Sequence, residues 1–145
     1  MIKIDLNAVI LRPVEKVFAF LANPENETQW QPDLHESKLT STGPIGVGAT
    51  GRDVRKFMGR ETVTTWQVSD FEPNQKMVFK VISGPMPFQG AFAFEPVAGG
   101  TRVVYIVQAE TSGFSQLFDP LVSRLIRSQG EKQMAALKAA LEAQP

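Results

Sequence analysis

The chain has 145 residues, of which 43% are hydrophobic and 21% charged, as expected of a single globular domain. Its 15 Lys and Arg residues balance 15 Asp and Glu residues, so no net charge favours nucleic acid or an anionic membrane surface. Cysteine is absent and His35 is the single histidine, which excludes disulfides, thiolate catalysis, cysteine zinc sites and metal sites that need two imidazoles.

The first predicted elements are a strand and two helices. Residues 2–10 alternate between apolar and polar, the period of two that is typical of a strand buried on one face. Pro13 suits the start of a helix, which ends at Asn23 because the residue before a proline is disfavoured in the α conformation. Pro24 opens a second short helix, which ends before Pro32.

The middle of the chain predicts six strands joined by short turns. These turns contain glycine, proline or asparagine, which permit tight reversals of the backbone. Connections this short leave no room for the helical crossovers of a parallel sheet, so the strands form an antiparallel meander. The predicted strands are residues 34–41, 49–58, 60–69, 76–83, 88–95 and 101–110.

The C-terminal region predicts one long helix over residues 115–143, with Ser115 as its N-cap. Gly130 is a point where this helix can kink or fray. Its apolar residues recur at helical spacing, so they form a stripe that must be buried, and the concave face of the meander is the available partner. The stripe consists of Phe118, Leu121, Val122, Leu125, Ile126, Met134, Leu137 and Leu141.

Several short motifs mark helix starts, turns and core positions along the chain. They combine proline or glycine with aromatic and charged residues, and they follow the order of the predicted elements. They are residues 12–18 after the opening strand, Asn23-Pro24-Glu25 with Trp30, Val47-Gly48, Phe71-Glu72-Pro73, Phe94-Glu95-Pro96 and Gly99-Gly100-Thr101-Arg102-Val103.

These motifs and the order of elements resemble the START-like, or SRPBCC, superfamily, in particular its bacterial branch of polyketide cyclase/dehydrase and lipid transport proteins. The resemblance covers essentially the whole chain. It implies one α+β domain over residues 1–145 with the helix-grip fold of the birch-pollen allergen relatives. In that fold the chain forms a strand, two short helices, a six-strand meander and a long C-terminal helix, in this order. The strands make a curved antiparallel sheet that wraps around the C-terminal helix.

The same resemblance implies a ligand site in the gap that the fold leaves between the sheet and the C-terminal helix. The first functional hypothesis is binding of a small hydrophobic molecule, such as a lipid, a polyketide-like aromatic or an isoprenoid. The second is a cyclase, aromatase or dehydratase that needs no cofactor and uses a few polar groups of the cavity. The third is a co-chaperone-like or stress-response interaction domain with a vestigial cavity.

Aromatic residues on the predicted strands are candidates for the cavity walls, although packing of a filled core explains them equally well. Ligand pockets are typically apolar with a few polar groups, and Thr62, Thr64 and Gln108 are the neutral candidates for hydrogen bonds. Met86 lies in a loop that is either a rigid turn on the rim or an adaptable lid. The predicted ligand-binding residues are Trp30, Phe57, Thr64, Trp66, Phe79, Met86, Phe88, Phe92, Tyr105, Phe118 and Val122.

Four residues are candidates for acid–base chemistry: His35, Asp53, Arg55 and Tyr105. Histidine is the side chain that commonly serves as an acid or base near neutral pH. His35 follows the short helix, near the expected cavity mouth, but a surface histidine is the alternative. Asp53 and Arg55 share the phase of Phe57 on one strand. They form either a charged pair inside the cavity or pairs across strands on the wet, convex face.

The expected partner is therefore one small hydrophobic molecule, with no nucleic acid, metal or cofactor. The glycines of residues 43–48 precede a strand rather than a helix, so they are not a dinucleotide-binding motif. The sequence has neither a recognisable secretory leader nor an apolar run of about 18 residues, which predicts a cytoplasmic location without stable membrane insertion. A homodimer is left open, since two-fold dimers are the commonest assembly.

Overall fold

Seven antiparallel strands form one sheet in the computed structural model, which describes residues 2–57, 59–85, 87–109 and 119–144. The strand order is β1-β7-β6-β5-β4-β3-β2, so the six-strand meander is confirmed and β1 is added beside β7. The strands are β1 Ile2–Ile10, β2 Leu34–Leu39, β3 Thr50–Phe57, β4 Arg60–Glu72, β5 Lys76–Ser83, β6 Phe88–Val97 and β7 Gly100–Ala109. Strand β4 extends beyond its predicted end because Phe71 and Glu72 pair with Met77 and Lys76 of β5.

Three helices accompany the sheet within the described residues. They are α1 Val14–Ala22, a 3-10 helix Pro24–Gln29 and α2 Asp119–Glu142. Pro13 is the N-cap of α1, and the Glu25 N–H donates to Asn23 Oδ1 at the start of the 3-10 helix. The predicted N-cap of the last helix, Ser115, lies outside the described residues. Within these ranges, no helix is both long enough and apolar enough to cross a bilayer.

The sheet is curled, and the α+β helix-grip fold is confirmed. In β4 the register shifts between Thr65 and Trp66 and again between Val68 and Asp70, where this strand pairs with β5. Irregularities of this kind bend a strand and increase its twist, so they help to curve this part of the sheet.

The core lies between the sheet, α1 and the second half of α2. Strand β1 shows the predicted alternation, with Ile2, Ile4 and Leu6 buried and the residues between them exposed. Helix α2 continues through Gly130, where an added Cβ atom would lie 2.4 Å from Leu6 Cδ1. Gly130 therefore does not fray the helix. It allows α2 to approach β1 closely.

The prediction that the whole apolar stripe of α2 is buried is wrong for two of its described residues, Leu121 and Leu125. Leu121 and Leu125 are 60% and 64% exposed. The row that contacts the core is Ile126, Gly130, Met134, Leu137 and Leu141. Successive residues of a helix are rotated by about 100°, so Leu125 points well away from Ile126 and this row. The predicted stripe contained four members of this row and missed only Gly130, because a glycine adds nothing to an apolar pattern.

Arg12 fixes the C-terminal end of α2, where the last carbonyl groups lack partners within the helix. Its Nε donates to the Leu141 carbonyl at 3.1 Å and its Nη2 to the Glu142 carbonyl at 2.6 Å, with a further bond to the Gln144 carbonyl. The Glu142 carboxylate in turn accepts a hydrogen bond from the Leu11 N–H at 2.9 Å. The Arg-Pro motif thus anchors the last helix to the junction of β1 and α1.

Candidate functional site

A cavity of about 40 Å³ lies between the sheet and the segment that contains α1 and the 3-10 helix. Its described lining residues come from these helices, from the loop after β2 and from strands β3 to β7. None of the described residues of α2 lines it. Among the described residues, the 3-10 helix and the residue Gln31 after it face the sheet across the cavity, and the position between the sheet and the C-terminal helix stays a prediction.

Most of the cavity wall is apolar. Phe79 is central to it, with its ring centroid 6.3 Å from that of Phe88 and 6.4 Å from that of Trp66. Tyr105 stacks on Phe92, with ring centroids 4.2 Å apart and an interplanar angle of 4°. The apolar lining residues are Leu21, Pro24, Ile45, Trp66, Val68, Met77, Phe79 and Phe88.

Asp53 is the centre of the polar part of the wall. The alternation of β3 points its side chain into the concave face, where the residue is only 7% exposed. Its carboxylate accepts hydrogen bonds from Ser37 Oγ at 2.7 Å and from Trp66 Nε1 at 2.9 Å. A buried carboxylate is costly unless it is paired, and these bonds, together with the nearby Arg55, supply that compensation.

Arg55 lies between two carboxylates. Its Nη2 is 3.6 Å from Asp53 Oδ2, and its Nη1 is 3.4 Å from Asp33 Oδ2. Both Asp53 and Arg55 line the cavity, so of the two alternatives the structure places them inside it rather than on the convex face. Within the described residues, no group of three or more acidic or histidine side chains could hold a metal ion.

Glu27 adds a second carboxyl group to the cavity wall. Its pKa is raised to about 8, mainly by burial and also by the Asp53 carboxylate, while the Arg55 guanidinium acts in the opposite direction. Among the described residues, none forms a hydrogen bond with this carboxyl group. At neutral pH it is mostly protonated, and a protonated carboxyl group offers an O–H donor.

The sequence analysis did not single out Glu27, although the chain contains a signal for it. A 3-10 helix has three residues per turn, so Pro24, Glu27 and Trp30 follow one another along the same side. Pro24 and Trp30 are both buried, and Glu27 between them is half-buried. A period of three, rather than the α-helical 3.6, would have predicted an inward-facing carboxyl group.

Burial also raises the pKa of Tyr105, and the nearby Glu27 carboxyl raises it further. The hydroxyl group therefore stays protonated and can donate a hydrogen bond. Thr64 and Gln31, which are 8% and 6% exposed, complete the polar lining. The cavity thus combines one ion pair with several neutral donors.

The predicted site residues fall into three groups. Thr64, Trp66, Phe79, Phe88 and Tyr105 line the cavity. Trp30 and Phe92 are buried next to it, with ring centroids 6.3 Å apart, and the Trp30 indole N–H has no hydrogen-bond partner among the described residues. Met86 and Phe118, and the side chains of Phe57 and Val122, lie outside the described part of the structure.

His35 is exposed and does not line the cavity. It follows buried Leu34 on β2, where the pairing with β3 shifts in register, and its side chain is on the solvent side. The structure therefore gives His35 no part in this site. Thr62 and Gln108 are half-buried and are also absent from the cavity lining.

Gly51 allows the Trp66 ring to lie against β3. The two residues are paired across β3 and β4, and a Cβ atom at Gly51 would lie 2.0 Å from Trp66 Cζ2. We expect Gly51→Ala to displace the indole, to break its bond to Asp53 and to lower the free energy of unfolding by about 2–4 kcal/mol. Urea unfolding followed by tryptophan fluorescence would measure this.

Gly46→Ala is the matched control for that substitution. An added Cβ atom at Gly46 would meet nothing within 4 Å, and this glycine has no positive φ. Its stability should stay within about 0.5 kcal/mol of the unsubstituted protein. Equal stabilities of the two variants would show that the Trp66 ring does not depend on Gly51.

The fold and the site together define a START-like helix-grip protein with an internal, partly charged cavity. The sequence profile of the polyketide cyclase/dehydrase and lipid transport family matches residues 1–142. The chain belongs to this family. No curated protein matches the chain in sequence.

Solved structures with the same fold come from several bacteria. The protein TTHA0849 of Thermus thermophilus is 20% identical, with 97% of each chain covered and a TM-score of 0.82. A START superfamily protein of Mycobacterium smegmatis is 16% identical, with 97% of each chain covered and a TM-score of 0.79. The Zhui aromatase/cyclase of a Streptomyces species is 10% identical, covering 97% of this chain and 93% of the other with a TM-score of 0.75. At these identities the similarity establishes the fold.

Proposed function

We propose that this protein binds a small, mostly apolar molecule that carries a polar group. The observation that supports the proposal is the cluster of Glu27, Asp53 and Arg55 in the wall of an otherwise apolar cavity. Charged groups are costly to bury, and a core needs none, so ionisable groups that converge on a cavity favour a ligand site. The family description, which includes lipid transport and polyketide cyclases, agrees with such a ligand.

The size of the cavity limits how this ligand enters. A volume of about 40 Å³ holds only a few water molecules, since each needs about 10–15 Å³. Side chains must therefore move to admit even a molecule with one aromatic ring, and larger molecules require more movement. A lipid or a polyketide-like aromatic requires a larger opening of the sheet away from the helices.

Native mass spectrometry of the protein purified from its own host tests the proposal. We expect a co-purifying small molecule that is lost on denaturation. Val68→Phe should abolish it, because Val68 lines the cavity and is 1% exposed. Val63→Phe is the matched control on the same strand, since Val63 is 46% exposed on the solvent side.

Two results would count against the proposal. One is a ligand that stays bound in a folded Val68→Phe variant, which would place it elsewhere on the protein. The other is the absence of any bound mass together with no thermal shift against a panel of aromatic and lipid molecules. Circular dichroism should be recorded first for both variants, because added volume in a core is itself destabilising.

A second candidate function is acid–base chemistry without a cofactor, such as cyclisation or dehydration. The observation that favours it is Glu27, a carboxyl group with a pKa of about 8 in an enclosed site. A group that titrates near the working pH is suited to donate a proton to a ligand carbonyl oxygen. If the purified protein converts its co-purifying ligand, Glu27→Gln should slow the conversion about 100-fold or more, and an undiminished rate would exclude this role.

The cytoplasmic location and the homodimer stay predictions, as does the interaction-domain hypothesis. The last of these gains no support from the polar cluster, since a vestigial cavity has no need of buried charges.

A further inference from the structure

We infer that the cavity selects ligands whose polar group is uncharged and excludes carboxylates. This inference rests on the proposed function and adds the chemical class of the ligand. Two features of the wall carry it: the pairing of its charged groups, and a carboxyl group that has no hydrogen-bond partner among the described residues.

The first step concerns Arg55, the single cation among the described lining residues. One of its terminal nitrogens pairs with Asp33 and the other with Asp53. A ligand carboxylate that leaves water for an apolar cavity needs a cation of its own. Arg55 is already shared between two carboxylates, so a third would lie beside Asp53 and be repelled by it.

The second step concerns Glu27, which faces Asp53 and Arg55 of β3 and Tyr105 of β7 across the cavity. Its carboxyl group lines the cavity without a hydrogen bond from the described residues, and in its protonated form it is a donor. A ketone, ester, amide or alcohol oxygen accepts such a bond without bringing a charge into the cavity. Thr64 and Gln31 offer further neutral hydrogen-bonding groups in the same wall.

A cationic ligand is the competing class, because the described wall carries more carboxyl groups than cations. Asp53, however, is already bonded to Ser37 and Trp66 and paired with Arg55. An ammonium group would also approach the Arg55 guanidinium and would have to remove the proton of Glu27. The neutral class requires neither of these changes.

Four one-ring probes of similar size separate these classes: toluene, acetophenone, benzoate and benzylamine. Each would be titrated at about pH 7 into the full-length, isotope-labelled protein and followed by NMR. The indole N–H of Trp66 is the reporter, because it lies 2.9 Å from Asp53 in the cavity wall. We expect acetophenone to bind at least tenfold more tightly than benzoate and benzylamine.

The outcomes distinguish this inference from the proposed function. If none of the four probes binds, the proposed function fails, and the inference fails with it. If any probe binds but benzoate or benzylamine equals or exceeds acetophenone in affinity, the cavity is a ligand site and the inference is overturned.

A charge-neutralised variant gives an independent test. The double substitution Glu27→Gln with Asp53→Asn removes the Asp53 carboxylate and the Glu27 carboxyl group but keeps similar shapes and hydrogen-bonding atoms, leaving Arg55 paired only with Asp33. Benzoate should then bind at least tenfold more tightly than to the unsubstituted protein. If the double variant does not fold, Asp53→Asn alone can be used instead, and we expect a smaller increase in benzoate affinity.

Glu61→Gln is the matched control, because Glu61 lies exposed on β4 and does not line the cavity. It should leave benzoate binding as it is in the unsubstituted protein. An unchanged benzoate affinity in a folded variant of Asp53 and Glu27 would show that these two acidic residues do not exclude carboxylates.

Discussion

Replacing Glu27 with glutamine should stabilise the protein above about pH 8 and leave its stability near pH 4 almost unchanged. The folded protein holds the carboxyl proton up to a pKa of about 8, whereas the ordinary value, taken for the unfolded chain, is 4.5. Between these values the unfolded state has released a proton that the folded state keeps. The free energy of unfolding therefore falls as the pH rises, by up to about 1.4 kcal/mol per pH unit.

Glutamine removes this dependence because it does not titrate. The shift of the Glu27 pKa limits the gain in the free energy of unfolding to about 5 kcal/mol. Because Glu27 is only half-buried, solvent reduces this effect, and we expect a gain of roughly 2–4 kcal/mol at about pH 9. Urea unfolding of both proteins from about pH 4 to pH 9 measures the difference. Glu25→Gln, on the exposed side of the same 3-10 helix, should follow the unsubstituted protein at every pH. A difference between Glu27→Gln and the parent that is constant with pH would contradict the assignment.

The fold could be predicted because its signals are local. Alternation over residues 2–10 and the turn residues between the later strands determine which segments are strands and leave only antiparallel connections. The motif that begins at Arg12 could be recognised but not explained from the sequence. Its role depends on carbonyl groups about 130 residues later in the chain, which the fold alone brings within reach.

The candidate site was predicted in its apolar part and only incompletely in its polar part. Thr64, Trp66 and Tyr105 were identified because a strand's period of two puts every second residue on one face. The same period could not decide which face of β3 is concave, and so it left Asp53 and Arg55 with two alternatives. That choice depends on the curvature of the sheet and on the glycine that admits the Trp66 ring, which are properties of neighbouring strands.

Asp53→Ala should cause the largest loss of stability among the substitutions in this site. It removes the acceptor for the Ser37 hydroxyl and the Trp66 indole N–H, and it leaves Arg55 with one of its two carboxylates. Removing one partner from a buried ion pair typically costs about 3–5 kcal/mol, because the remaining groups stay buried without compensation. Urea unfolding at about pH 7 would measure this loss.

Asp53→Asn separates the hydrogen bonds from the charge. Its Oδ1 can still accept from Trp66 and Ser37, so it should lose clearly less stability than Asp53→Ala. Without the charge of Asp53, the pKa of Glu27 should fall, because that carboxylate is one of the groups that raise it.

Asp70→Ala is the surface control for the loss of stability. Asp70 pairs with Lys76 at 2.8 Å, and this pair joins two solvent-exposed side chains of β4 and β5, so we expect a smaller loss than for Asp53→Ala. If Asp53→Asn were as destabilising as Asp53→Ala, the charge rather than the hydrogen bonds would be what holds Trp66 and Arg55 in the cavity wall.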